Sequence, residues 1–125
     1  MSTRRTNVLM VEDEVLISEL MTDVLSEKGF EVHAVSDGES ALRYLDSDPG
    51  VDVLFTDINL YGRMDGSMLA KHARARRPDM PIVYCSGRYS PSALSPLVPR
   101  SIFLKKPYDP DDLCLLLTRL TSTEH

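Results

Sequence analysis

The sequence predicts an α/β fold in which parallel strands carry helices on both faces. Three observations predict it. Short apolar runs alternate with amphipathic stretches along the whole chain. The helices lie between the strands, so successive strands need crossovers; right-handed crossovers then place helices on both sides of a parallel sheet. Polar residues fall at the carboxyl ends of runs that are otherwise apolar, where open parallel sheets bind ligands.

The elements follow in order. "NVLMVE" (7–12) is an apolar strand that ends in an acid. In 15–29, Val15, Leu16, Leu20, Met21, Val24 and Leu25 recur at three- and four-residue spacing, and Gly29 suits the stop of a helix. "FEVHAV" (30–35) alternates, as a strand exposed on one side does. "ESALRYLDS" (39–47) is a second helix, with Ser36 and Asp37 as caps. "VDVLFTD" (51–57) is the third strand. "SMLAKHARARR" (67–77) is the third helix, closed by Pro78. "PIVYCS" (81–86) and "SIFLKK" (101–106) are the fourth and fifth strands. "PDDLCLLLTRL" (110–120) is a last helix with Pro110 in its first turn. The segment 87–100 sits where a further helix is due, yet it carries Pro91, Pro96 and Pro99. That spacing predicts a short or irregular helix of low local stability.

Composition narrows the function. The 125 residues suit one domain with a real core, here about 7–120 and with no output domain expected. No apolar run approaches a membrane span, and "MSTRRTN" is no signal peptide. Cys85 and Cys114 have neither metal-ligand spacing nor a disulfide framework, so a reducing, cytoplasmic setting is expected. A net charge of −5 argues against nucleic acid as a direct partner. The basic run 71–77 reads as a solvated helix face complementing the C-terminal dipole. His33 and His72 lie away from the strand ends and receive no role.

The strand ends gather a distinct set of groups. Glu12 and Asp13 follow the first strand, Asp57 ends the third, Ser86 the fourth and Lys106 the fifth. Three carboxylates in one place repel one another unless a cation sits among them. Such oxygen donors suit Mg²⁺, which keeps several waters and takes few protein ligands. A lysine and a hydroxyl opposite them suit a phosphoryl group. Each residue also has a plainer reading. Asp57 could be a turn residue, Glu12 and Asp13 could cap the next helix, Ser86 could be an ordinary loop hydroxyl, and Lys105 and Lys106 could be surface lysines.

The order "VEDE", "LFTDI", "MDG", "YCSG", "LKKP" decides between these readings, because each motif stands at its strand end or in its turn. This constellation resembles the receiver domain of two-component response regulators over about residues 7–120. The resemblance implies a flavodoxin-like (CheY-like) three-layer fold with strand order 2-1-3-4-5. It implies that Asp57 is the phosphoacceptor. Glu12, Asp13, Asp57 and the backbone carbonyl of Asn59 would hold Mg²⁺. Ser86 would hydrogen-bond the phosphoryl oxygen and Lys106 would pair with it. Ser86, Tyr84 and Phe103 would carry the switch, Phe103 by packing, since it has no hydroxyl. Partners would be a sensor histidine kinase and a downstream protein or phosphotransferase.

The chain also departs from the common pattern. Tyr61 stands where a proline is usual, and the loop 57–66 looks one residue longer. Ser86 replaces the commoner threonine and Gly87 the usual alanine. "YCSGRY" followed by prolines resembles the FAT-GUY subfamily, whose members are often stand-alone receivers served by kinases of the HWE/HisKA2 type. Such a module takes the phosphoryl group onto itself rather than turning over a separate substrate. It could equally be a phosphate sink or shuttle. A dehalogenase-type aspartyl-phosphate phosphatase would need a second Asp where Asn59 stands. A flavin or nucleotide binder would need a Gly-rich loop where "EDEV" stands.

Overall fold

The computed structural model describes residues 5–47, 50–60, 62, 64–87 and 98–122. The described elements are β1 (Asn7–Val11), α1 (Val15–Glu27), β2 (Glu31–Val35), α2 (Gly38–Ser47), β3 (Val53–Asp57), α3 (Gly66–Arg76), β4 (Ile82–Ser86), β5 (Ser101–Lys105) and α4 (Pro110–Thr121). The expected bounds hold to within a residue or two. Tyr61, Arg88, Tyr89 and the remainder of the expected irregular helix through residue 97 lie outside the described residues.

All strand pairs are parallel, in the order β2-β1-β3-β4-β5, as the resemblance implied. β3 and β4 are buried at every residue, which is what central strands covered on both faces require. β2 lies at the sheet edge, and none of its five residues is fully buried; the expected strict alternation fails at His33 and Ala34, which are both exposed. His33, on this edge, stacks on Tyr44 of α2 with ring centroids 3.7 Å apart. Two apolar layers fill the space on either side of the sheet. Leu9, Leu54, Ile82 and Tyr84 pack against α2 and α3, while Val8, Val53, Phe55 and Val83 pack against α1 and α4.

Local signals end the helices as their chemistry dictates. Asp37 accepts the Ser40 amide at 2.7 Å, Asp65 accepts the Met68 amide, and Asp109 accepts that of Asp111. Pro110 occupies the first turn of α4. Gly29 has φ +97°, the left-handed turn that a helix stop needs. In α1 the sequence pattern misleads. Met21 and Leu25 are buried, but Val15, Leu16 and Leu20 are exposed, Leu16 by 80 %. The sheet accepts a narrower stripe, set by Ile17, Met21 and Leu25. The basic end of α3 is also more engaged than a solvated face. Arg74 donates to the carbonyls of Arg77, Pro99 and Arg100, Arg76 pairs with Asp46, and Arg77 donates to the Leu45 carbonyl. Among the described residues, no helix is long and apolar enough to cross a membrane.

Candidate functional site

Asp57 is the last residue of a strand whose other four residues are fully or nearly fully buried. Past it the chain stays fixed to its neighbours. The Ile58 amide donates to the Cys85 carbonyl at 2.9 Å, and the Ile58 carbonyl accepts from the Gly66 amide at 2.9 Å. A β-carbon on Gly66 would collide with the Asp57 carbonyl and lie 2.8 Å from Ile58 Cα. Only glycine therefore lets the start of α3 press against the Asp57 backbone. Asp57 as a residue is 7 % exposed, and both its carboxylate oxygens are engaged. Oδ1 accepts the Asn59 backbone amide at 2.9 Å, and Oδ2 accepts Lys106 Nζ at 2.7 Å.

Lys106 follows β5, and its own amide donates to the Ser86 carbonyl at 2.9 Å. Its ammonium also lies 3.8 Å from Glu12 Oε1. Burial works against this ammonium, but the hydrogen bond to Asp57 and the surrounding negative groups outweigh it and raise Lys106 above the ordinary lysine range. Glu12 is buried, and its Oε2 accepts the Glu14 amide at 3.1 Å, so it also serves the start of α1. Burial raises Glu12 above the usual carboxylate range. The Glu14 amide and Lys106 pull it down, while Asp57 and Asp13 push it up again. Asp13 is half-buried beside it. Lys105 is exposed, as a surface lysine should be.

Ser86, Tyr84 and Phe103 belong to one strand pair. The Ser86 side chain is fully buried, and its hydroxyl donates to Asn59 Oδ1 at 3.0 Å. Tyr84 is opposite Phe103 in register. Tyr84 is 1 % exposed and Phe103 packs half-buried against the same core. Burial raises the Tyr84 phenol, against hydrogen bonds with the Val98 backbone and the Ser101 side chain. Tyr84 thereby ties β4 to the turn that leads into β5. Burial pushes the Cys85 thiol up to about 12, so it is an inert neighbour of Asp57.

The donor set fits a hard divalent cation. Asp57 and Asp13 both press electrostatically on Glu12, and the three side chains offer only oxygen atoms. Among the described residues, no group of three or more His, Cys, Asp or Glu side chains is placed so that these side chains alone could hold a metal ion. Lys106 stands against Glu12 and Asp57 and already answers part of their charge. An ion that retains several waters and takes few protein ligands suits such an open group better than one needing a full protein shell.

The family model described as "Response regulator receiver domain" matches residues 8–118. The chain belongs to the response regulator receiver family. Relatives agree with it. The receiver is 34 % identical to a response regulator receiver protein of Sinorhizobium medicae, with a TM-score of 0.88 and 98 % of each chain covered. It is 32 % identical to the receiver domain of NtrX from Brucella abortus, with a TM-score of 0.83, covering 94 % of this chain and 99 % of that one. It is also 28 % identical to the nitrogen assimilation regulatory protein NtrX of Azorhizobium caulinodans, over 94 % of this chain and 26 % of that protein. The receiver spans about a quarter to a half of the length of the curated relatives it matches. Phosphorylation and Mg²⁺ binding are general features of the family, and its members interact with sensor histidine kinases and downstream effectors.

Two features of this site are not legible in the sequence, the close approach of Gly66 and the side-chain bond of Asn59. Gly66 reads in the sequence as a turn glycine of "MDG"; the adjacent Asp65, a helix cap, is the available signal that it opens α3. The Asn59 side chain had no signal, because its partner stands 27 residues away.

Proposed function

We propose that this receiver accepts a phosphoryl group on Asp57 from a phosphohistidine of a sensor kinase and signals to a partner protein. The carrying observation is the setting of Asp57. It ends a rigid buried strand, with an ammonium 2.7 Å from one oxygen and a backbone amide on the other. In the transfer a carboxylate oxygen forms a bond to phosphorus while the bond from phosphorus to the imidazole nitrogen breaks. The electron pair leaves with that nitrogen, and Asp57 carries an acyl phosphate. Lys106, now paired with Asp57 and Glu12, would pair with a phosphoryl oxygen, and the Ser86 hydroxyl would donate to another. Glu12, Asp13, Asp57 and the Asn59 carbonyl would hold Mg²⁺, which when bound supplies positive charge against the phosphoryl oxygens.

Several features support the finer reading. The cover of 98 % of each chain with the Sinorhizobium medicae receiver protein supports the receiver fold along the whole of this chain. "YCSGRY" supports the FAT-GUY subfamily and a kinase of the HWE/HisKA2 type. Exposed Val15, Leu16 and Leu20, near the acidic residues, support a protein as phosphodonor. Arg74, Arg76 and Arg77 are engaged with their own chain, which supports a role without direct nucleic-acid contact. Unpaired, buried Cys85 and Cys114 support a cytoplasmic setting.

The test is intact mass after incubation with Mg²⁺ and acetyl phosphate. One phosphoryl group should add to the wild type and none to Asp57→Asn. Full labelling of Asp57→Asn would overturn the assignment.

A further inference from the structure

Asn59 holds two different groups at once. Its backbone amide donates to Asp57 Oδ1 at 2.9 Å. Its side-chain oxygen accepts the Ser86 hydroxyl at 3.0 Å. The hydroxyl is fully buried, whereas Asn59 is exposed at the mouth of the site. A serine hydroxyl has one proton to donate. A phosphoryl oxygen on Asp57 would be an acceptor. Ser86 can therefore donate to the phosphoryl group only by giving up Asn59, and the two hydrogen bonds exclude each other.

We propose that the Asn59 side chain is a latch that holds the Ser86 hydroxyl in the unphosphorylated state and releases it to the phosphoryl oxygen. The proposal rests on the reading of Asp57 as phosphoacceptor. Asn59 acts through Ser86, so its side chain is a positioning group and not a reacting one. The exchange has a clear direction. The amide oxygen is a neutral acceptor; the phosphoryl oxygen is charged, and charge-assisted hydrogen bonds are about twice as strong. Phosphorylation draws the hydroxyl across, and hydrolysis returns it to Asn59. The latch thus weakens binding of any phosphoryl group or mimic by the cost of releasing one neutral hydrogen bond.

The probe is beryllofluoride with Mg²⁺, titrated by NMR against wild type, Asn59→Ala, Asn59→Leu, Ser86→Ala and the double variant Asn59→Ala/Ser86→Ala. Loss of the latch should tighten the mimic by roughly 2- to 10-fold in Asn59→Ala, the range of one neutral hydrogen bond. Asn59→Leu, which keeps bulk but offers no acceptor, should tighten it likewise. In the Ser86→Ala background, Asn59→Ala should change nothing. An equal gain in both backgrounds, a gain with alanine but not with leucine, or no gain at all would overturn the latch. If the wild type binds the mimic and only the latch comparison fails, the phosphoacceptor reading stands. If the wild type binds no beryllofluoride, both fall.

Discussion

Lys106 reaches back across 49 residues to place its ammonium 2.7 Å from Asp57 Oδ2. The same ammonium lies 3.8 Å from Glu12 Oε1, so one cation serves two buried carboxylates. Lys106→Ala should cost about 1–2 kcal/mol of stability, a charged hydrogen bond discounted for partial exposure. Mg²⁺ should then restore more stability to the variant than it adds to the wild type, because it replaces the missing charge. The sign with pH follows from the raised Lys106. Its contribution is full below the ordinary lysine value and is lost only as pH rises through the higher folded value. The gap between wild type and variant should therefore stay level from neutral into mildly alkaline solution. Urea unfolding with and without Mg²⁺ measures both effects, and equal Mg²⁺ increments in the two proteins would separate the lysine from the metal site.

Gly66→Ala should be destabilising although it adds a single methyl group. That methyl would meet the backbone of Asp57 and Ile58, which cannot rotate away as a side chain can. Overpacking of this kind costs about 1–3 kcal/mol. The strain falls on Asp57, the proposed acceptor, so the variant should also take up phosphoryl groups more slowly than its stability alone accounts for. Unfolding curves and labelling rates measured on the same preparation make the comparison. A variant as stable and as fast as the wild type would show that α3 can move aside.

Asp37→Ala should weaken the start of α2 by about 0.5–2 kcal/mol, the usual effect of losing a capping carboxylate. The 2.7 Å bond from the Ser40 amide lowers Asp37 below the usual aspartate value. Its stabilisation is present above the unfolded value and disappears as pH falls through the lower folded one. Wild type and variant should differ at neutral pH and converge in acid. Thermal melts across that range check it, and a difference that persists in strong acid would contradict the capping role.

The strand ends were legible in the sequence because each polar residue interrupts an apolar run at the point where the sheet must stop. Glu12, Asp57, Ser86 and Lys106 all stand there. The helix caps were legible for a similar reason, since Asp37 and Pro110 act within one turn of their own position. The outward turn of Val15, Leu16 and Leu20 was not legible. Spacing says which residues share a helix face, but the width of sheet available to cover that face is a tertiary quantity. Arg74 misled for a related reason. Its partners at Pro99 and Arg100 come from a distant turn, and a local reading sees only a helix C-terminus. The Asn59–Ser86 bond is of the same kind, as a contact between two loop-end side chains leaves no period in the sequence.

The parallel order of the strands also sets a timetable. β1 supplies its acids first, β3 brings Asp57, and the lysine that answers them arrives 49 residues later. During synthesis the Asp57 carboxylate stands for 49 residues of chain growth without its cation and without β5, which that cation follows. A chain ending before Lys106 lacks the ammonium that pairs with Asp57 Oδ2. Chain growth thus completes the pairing of the Asp57 carboxylate only once Lys106 has followed β5.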